Sequence, residues 1–207
     1  MAGSAPRVLI VSGPSGSGKS TLVQNLHGLP GLMFSISSTT RPRRLTESPG
    51  KCYDFITDAE FKRRVDSGEF LEYAQVFGRH WYGTPRKQVD DAHRAGLDLV
   101  LEIDVQGARQ VKEKLPDSIA VFIAPPSRQD LERRLRARGQ DPDEAITRRL
   151  ERARQEIASS AEYDFVVVND DLERASDELR AIALASRCRR RDNDERLGKI
   201  LESFGGP

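Results

Sequence analysis

Apolar residues in this chain fall into short unbroken runs, separated by longer stretches in which they recur every third or fourth place. Residues 7–12 (RVLIVS), 97–104 (LDLVLEID), 118–124 (SIAVFIA) and 163–168 (YDFVVV) are unbroken runs. Their β-branched content and lack of alternation predict strands buried on both faces, as in a parallel sheet. Residues 33–37 form a weaker run of the same kind. Between them the spacing predicts helices over 19–29, 58–66, 85–94, 106–115, 127–138, from Asp141 or Asp143 to about 159, and 171–187. Thr57-Asp58-Ala59-Glu60 has the spacing of a capping box, Gly68 ends that helix, and Pro85 suits a first helical turn. Residues 70–76 and 80–83 predict a strand and a hairpin or short strand, whereas 39–52, rich in Arg, Thr, Pro and Gly, reads as a loop. Strands alternating with helices imply right-handed βαβ crossovers. The expected class is α/β, a mostly parallel sheet flanked by helices. There is no internal repeat, and the charged tail after Arg187 reads as a solvated face that can extend as a helix.

Length and charge narrow the picture. The 207 residues suit one core with small insertions rather than two domains and a linker. Lys and Arg number 33 against 32 Asp and Glu, a net charge of +1 that argues against a general nucleic-acid binder. No apolar run approaches the roughly 20 residues that span a bilayer. The run over 8–13 is too short for a signal-peptide core. Cys52 and Cys188 have no metal or redox spacing and read as reduced thiols. The expectation is a soluble cytoplasmic protein with neither membrane nor nucleic acid as a partner.

Gly13-Pro14-Ser15-Gly16-Ser17-Gly18-Lys19-Ser20 fits G-x-x-x-x-G-K-[ST], directly after one predicted strand and before a predicted helix. Small residues let successive backbone N–H groups curl around a phosphate chain, and the helix start aims its positive end at the same anion. Lys19 adds a charge toward the β and γ phosphates, and the Ser20 hydroxyl can ligate Mg²⁺. A nucleoside-triphosphate site follows.

Three further clusters bear on the chemistry. Residues 37–44 (SSTTRPRR) place three Arg and four hydroxyls in one segment. Joining ATP to a nucleoside monophosphate gathers about six negative charges, of which one Mg²⁺ cancels two, so arginines must meet the rest. The same segment also suits an ordinary surface. Glu102 and Asp104 end a buried strand where such folds reach Mg²⁺ or its waters. Arg133, Arg134, Arg136, Arg138, Arg148, Arg149 and Arg152 crowd two helices, although Glu132, Asp141, Asp143, Glu144 and Glu151 could pair with many of them.

Together the segments SGPSGSGKST, SISSTTR, GKCYDF, GEFLEYAQVFG, WYGTP, LEIDVQGA, FIAPPS, LERRLRARG and VVVNDDL resemble the guanylate kinase family in order and spacing, over nearly nine-tenths of the chain. The resemblance implies one domain over 1–207: a core (5–36, 89–125 and 151–190), an inserted GMP-binding subdomain (37–88), a lid (126–150) and a tail (191–207). It implies transfer of the ATP γ-phosphate to GMP with Mg²⁺. ATP would meet the phosphate loop with Thr21, and Arg134, Arg138 and Asn169. Ser37, Arg41, Arg44, Tyr53, Glu72, Tyr82 and Thr84 fall on GMP positions. Arg41, Arg44, Tyr53 and Tyr82 would hold the phosphate; Glu72, Ser37 and Thr84 would read the base, helped by Glu102 or Asp104. Lys19, Arg41, Arg44, Arg134 and Arg149 would face the transferring phosphates, and Ser20 with Asp104 would serve the metal.

Two departures stand out. The family's Arg-x-Pro-Arg-x-Gly-Glu is here Arg41-Pro42-Arg43-Arg44-Leu45-Thr46-Glu47, so Arg43 competes with Arg44 as second phosphate ligand, and one extra residue lies between Gly78 and Tyr82. Scaffold modules of the same fold lose the loop lysine and carry proline at the position of Ser37, and a sugar-phosphate kinase would not need Glu72 with Ser37. Oligomeric state stays open between monomer and homodimer.

Overall fold

The first run of apolar residues is buried at every position, Val8 through Ser12, because neighbours cover both of its edges and both of its faces. This computed structural model describes residues 7–43, 53–76, 78–137 and 142–205; Arg44, Cys52, Arg138 and Asp141 lie outside them. In chain order the elements begin with β1 (Val8–Ser12), α1 (Lys19–Asn25), β2 (Leu32–Phe34), β3 (Ser37–Thr39), β4 (Tyr53–Phe55) and α2 (Asp58–Asp66). Next come β5 (Phe70–Val76), β6 (His80–Pro85), α3 (Lys87–Ala95), β7 (Asp98–Glu102), α4 (Val105–Lys114) and β8 (Ile119–Ala124). The chain closes with α5 (Arg128–Ala137), α6 (Asp143–Ala158), β9 (Phe165–Val168), α7 (Leu172–Ser186) and α8 (Asp194–Ser203).

Five strands form one parallel sheet in the order β2-β7-β1-β8-β9. Alternate residues of β1 serve opposite faces. Leu9 and Val11 join Leu22, Leu26, Val121, Leu179 and Ala183 in the layer formed with α1 and α7. Val8 and Ile10 join Leu71, Ala92, Leu101, Ala108 and Val111 on the side of α3 and α4. Each fully buried aliphatic side chain contributes about 1.5–3 kcal/mol. The Asp104 carboxylate caps α4 by accepting from Gly107 N, and Asp171 caps α7 through Arg174 N.

The sequence does not foresee a second, four-stranded mixed sheet, β4-β3-β6-β5, in which β3 pairs in parallel with β4 and antiparallel with β6. The run predicted over 33–37 is two strands in different sheets. At the crossing, the backbone of Ile36 bonds the side-chain amide of Gln88 (N–H to Oε1 2.9 Å, O from Nε2 2.7 Å), which meets its need for partners outside either ladder. Ser37, Ser38 and Thr39 are buried polar residues, a composition that reads as a loop, and Tyr53–Phe55 gave no strand signal. Pro85 ends β6 opposite Phe70, so the third helix begins two residues later than predicted. The first helix also stops early, at Asn25 rather than 29. Among the described residues no helix is long and apolar enough to cross a membrane.

Candidate active site

The loop after β1 needs glycine for two separate reasons. Gly13 and Gly18 have φ of 136° and 96°, values L side chains rarely adopt. A Cβ would also stand 2.3 Å from Ile123 O at Gly13 and 2.2 Å from Asn169 Nδ2 at Gly18. Asn169 Nδ2 donates to Ser17 O (2.7 Å), while Arg134 donates to Ser17 O (3.3 Å) and to Asn169 O (2.7 Å). These two side chains therefore brace the loop from behind. On the open side Lys19 Nζ donates to Gly13 O (2.6 Å) and Pro14 O (3.0 Å), and Ser20 Oγ donates to Glu102 Oε1 (2.5 Å).

Across the cleft, the second sheet holds a buried carboxylate. Glu72 on β5 is 3% exposed; its Oε1 accepts from Thr84 N (2.9 Å) and Thr84 Oγ1 (2.6 Å), and Ser37 Oγ lies 3.3 Å from that hydroxyl. Burial pushes the Glu72 carboxyl up to about 7, with the Asp104 charge adding to the rise and the Thr84 hydrogen bonds opposing it. Gly107 lies against it: a Cβ there would stand 2.4 Å from Glu72 Oε2. Further along, Arg41 Nε donates to Tyr82 OH (3.2 Å), and the guanidinium carbon lies 5.6 Å from the centres of both the Tyr53 and Phe55 rings. Tyr53 and Tyr82 meet edge to face at 5.7 Å.

The third wall is one face of α6. Ile146, Leu150 and Ala153 bury against Leu131 and Leu135 of α5, which turns Arg148, Arg149, Arg152 and Glu156 into the cleft. Arg152 donates to Asp104 Oδ2 (3.3 Å) and to Glu156 Oε1 (2.9 Å). Burial raises the Glu156 carboxyl, against the opposing pull of Arg152 and Lys19.

These walls enclose a single cleft of about 850 Å³. It brings together Gly13, Ser15, Gly16, Gly18, Lys19, Ser20, Thr21, Ser37, Arg41, Tyr53, Glu72, Tyr82, Glu102, Asp104 and Arg149. Pro14, Ser17, Thr84, Arg134 and Asn169 are not on its surface; Thr84 lies behind Glu72, and Ser17, Arg134 and Asn169 are bonded to one another behind the loop. Arg44 and Arg138 are outside the described residues, as is any choice between Arg44 and Arg43. The cleft also exposes Arg79, His80 and Glu156, which the sequence did not single out. For Glu156 the signal was present, since 145, 149, 152 and 156 repeat at helical spacing opposite the apolar face. The Ser20 hydroxyl contacts Glu102, whereas Asp104 is occupied by Gly107 N–H, Gln106 and Arg152. Among the described residues no group of three or more His, Cys, Asp or Glu encloses a metal position.

Comparison with known proteins points to one family. The family model described as guanylate kinase matches residues 5–185. The guanylate kinase of Myxococcus xanthus is 47% identical over 201 residues, spanning 96% of this chain and 95% of the relative. That of Symbiobacterium thermophilum is 47% identical over 199 residues, 96% and 94% of the two chains. The crystal structure of guanylate kinase from Anaplasma phagocytophilum superposes with a TM-score of 0.79 at 35% identity, covering 98% of this chain and 97% of that one. Matches of this depth run through the loop, the second sheet and the arginine face alike, and they place the chain in the guanylate kinase family.

Proposed function

We propose that the cleft holds ATP on the phosphate loop and GMP against the second sheet, end to end, and moves the γ-phosphate between them. As a guanylate kinase the chain is a phosphotransferase acting on GMP. A GMP phosphate oxygen attacks the γ-phosphorus, the bond to the β–γ bridging oxygen breaks, and GDP and ADP leave. The observation that carries this reading is Glu72, a buried carboxylate fixed by Thr84 and facing the same cleft as Lys19. Guanine offers N1–H and a 2-amino group as donors, and an ionised carboxylate accepts from both. Adenine would turn a ring nitrogen lone pair toward it, leaving a buried charge unpaired. Thr84 sets the carboxylate from behind, and Ser37, within reach of the Thr84 hydroxyl, meets the base edge.

At the phosphates, Arg41, braced on Tyr82 and stacked near Tyr53, takes the GMP phosphate with Arg44. Lys19 and Arg149 meet the transferring group, and Arg134 and Asn169 keep the loop in shape, with Arg138 completing the lid. Ser20 and Glu102 fit a Mg²⁺, because that ion keeps several waters and needs only one or two protein oxygens beside substrate phosphates. When bound, it neutralises charge on the β and γ phosphates. Residues 37–88 then serve as the GMP-binding segment and 126–150 as a lid in one cytoplasmic protein.

The direct test is ADP release coupled to GMP, AMP, dGMP and ribose phosphates. GMP is expected to exceed AMP in kcat/KM by at least about 10³-fold; ATP binding without phosphorylation of any acceptor would overturn the assignment. A second test uses Gly107→Ala. Alanine favours a helix by about 1 kcal/mol, yet its Cβ drives the Glu72 carboxylate out of place. KM for GMP is expected to rise about 10- to 100-fold with KM for ATP unchanged, as steady-state kinetics will show.

A further inference from the structure

A charged bridge joins the start of α4, just after β7, to the middle of α6, and the reaction as described does not use it. The Arg152 guanidinium reaches Asp104 with Nη2 and Glu156 with Nε. Asp104 also accepts from Gly107 N (2.9 Å), and Gly107 in turn lies directly against Glu72. Contact therefore runs without a gap from the carboxylate on the base side, through Gly107, Asp104 and Arg152, to α6. That helix is one uninterrupted element of 16 residues, so what holds Arg152 also fixes the direction of Arg149, one turn earlier. The expected boundary between lid and core, 150/151, falls inside it, which places Arg149 and Arg152 on opposite sides of that boundary along one rigid rod.

An exposed Arg–Glu pair four residues apart would hold little. Here the side chains of Arg152, Asp104 and Glu156 keep only 27%, 21% and 14% of their exposure, so the charges are partly removed from water. Nε and Nη2 of one planar guanidinium address two carboxylates at once, which a lysine cannot reproduce.

We propose that Arg152 is a positioning residue: held in place by Glu156 of its own helix, it grips Asp104 and so sets the angle of α6, which couples filling of the guanine pocket to the seating of Arg149 over the phosphates. This rests on the reading of the cleft as the ATP and GMP site. The test measures GMP binding by calorimetry, with and without a non-hydrolysable ATP analogue, in the wild-type chain and Arg152→Met, beside steady-state kinetics. In the wild type the analogue tightens GMP binding. In the variant that gain shrinks toward none and kcat falls about tenfold, while Kd for GMP alone stays within about twofold. Arg152→Lys recovers only part of the gain. Should Arg152→Met fail to fold, the double variant Arg152→Met/Glu156→Gln leaves one fewer stranded carboxylate and carries the same comparison. A variant with wild-type kcat and an undiminished gain overturns the proposal. So do equal losses in kcat and both affinities with a lowered Tm, the pattern of a simple structural staple. A wild-type chain that releases no ADP in response to GMP would instead overturn the site reading beneath it.

Discussion

Replacing Lys19 by alanine is expected to lower kcat for GMP phosphorylation by about 10³-fold while leaving the fold intact. Removing one preorganised charge that meets a transferring phosphoryl group costs on the order of 10²–10³ or more in rate. The folded state is expected to persist, because the hydrogen bonds of the ammonium to Gly13 O and Pro14 O lie at the open side of the loop. Such charge-assisted bonds are worth about 1.5–3 kcal/mol each when buried, but here both carbonyls can turn to water. Near-normal turnover with an unchanged circular dichroism spectrum would contradict the role. Lys19→Met, which keeps most of the side-chain length, is expected to behave like the alanine variant, since the charge rather than the packing does the work.

Glu72→Gln is expected to separate stability from function. Two charge-assisted hydrogen bonds to guanine are lost or reversed, at about 1.5–3 kcal/mol each, so kcat/KM for GMP falls by about 10³-fold while KM for ATP changes less than about threefold. Stability moves the other way. The folded carboxyl titrates near 7 against 4.5 for an ordinary glutamate, so the folded state keeps a proton that the unfolded chain has already released. The stability this gives is present below about pH 4.5 and is lost as the pH rises through 7, by about 3 kcal/mol in all. Glutamine carries no such slope. Without nucleotide, the Tm of Glu72→Gln should exceed wild type by about 6–12 °C at pH 8 and converge with it toward pH 5. A difference independent of pH, or equal losses for GMP and ATP, would show that the carboxylate is misassigned.

Much of this was legible in the sequence, for reasons tied to particular residues. The phosphate loop is local: eight consecutive residues set the backbone course, and the clashes at Gly13 and Gly18 explain why glycine stands at both positions. The core strands announced themselves because β1 and β8 are covered on both faces and carry continuous apolar runs. In the second sheet β5 and β6 did so too, but β3 did not, because it is Ser-Ser-Thr. Its hydroxyls are buried only by virtue of distant partners, Asp54 for Ser38, Trp81 O for Thr39 and Thr84 for Ser37, and such pairings leave no periodic trace. Pro85 suits a first helical turn by sequence, yet pairing with Phe70 makes it the end of a strand. The arginines divide for a related reason. Arg133 and Arg136 pair with Asp130 and with Glu132 and Asp143 outside the cleft, whereas Arg149 and Arg152 face it, Arg152 pairing there with Asp104 and Glu156, and only the buried Ile146, Leu150 and Ala153 decide which side that is.

The seam between the two sheets has a mechanical meaning. Among the described residues no strand of one sheet is laddered to a strand of the other. Side chains do the joining: Gln110 bonds both backbone groups of Tyr73, Lys114 caps Leu71 O, and Gln88 pins Ile36 at the crossing. A jaw mounted this way can tilt without any β-ladder unzipping, provided that Leu71, buried in the main core beside Leu101 and Val111, keeps its packing as the pivot.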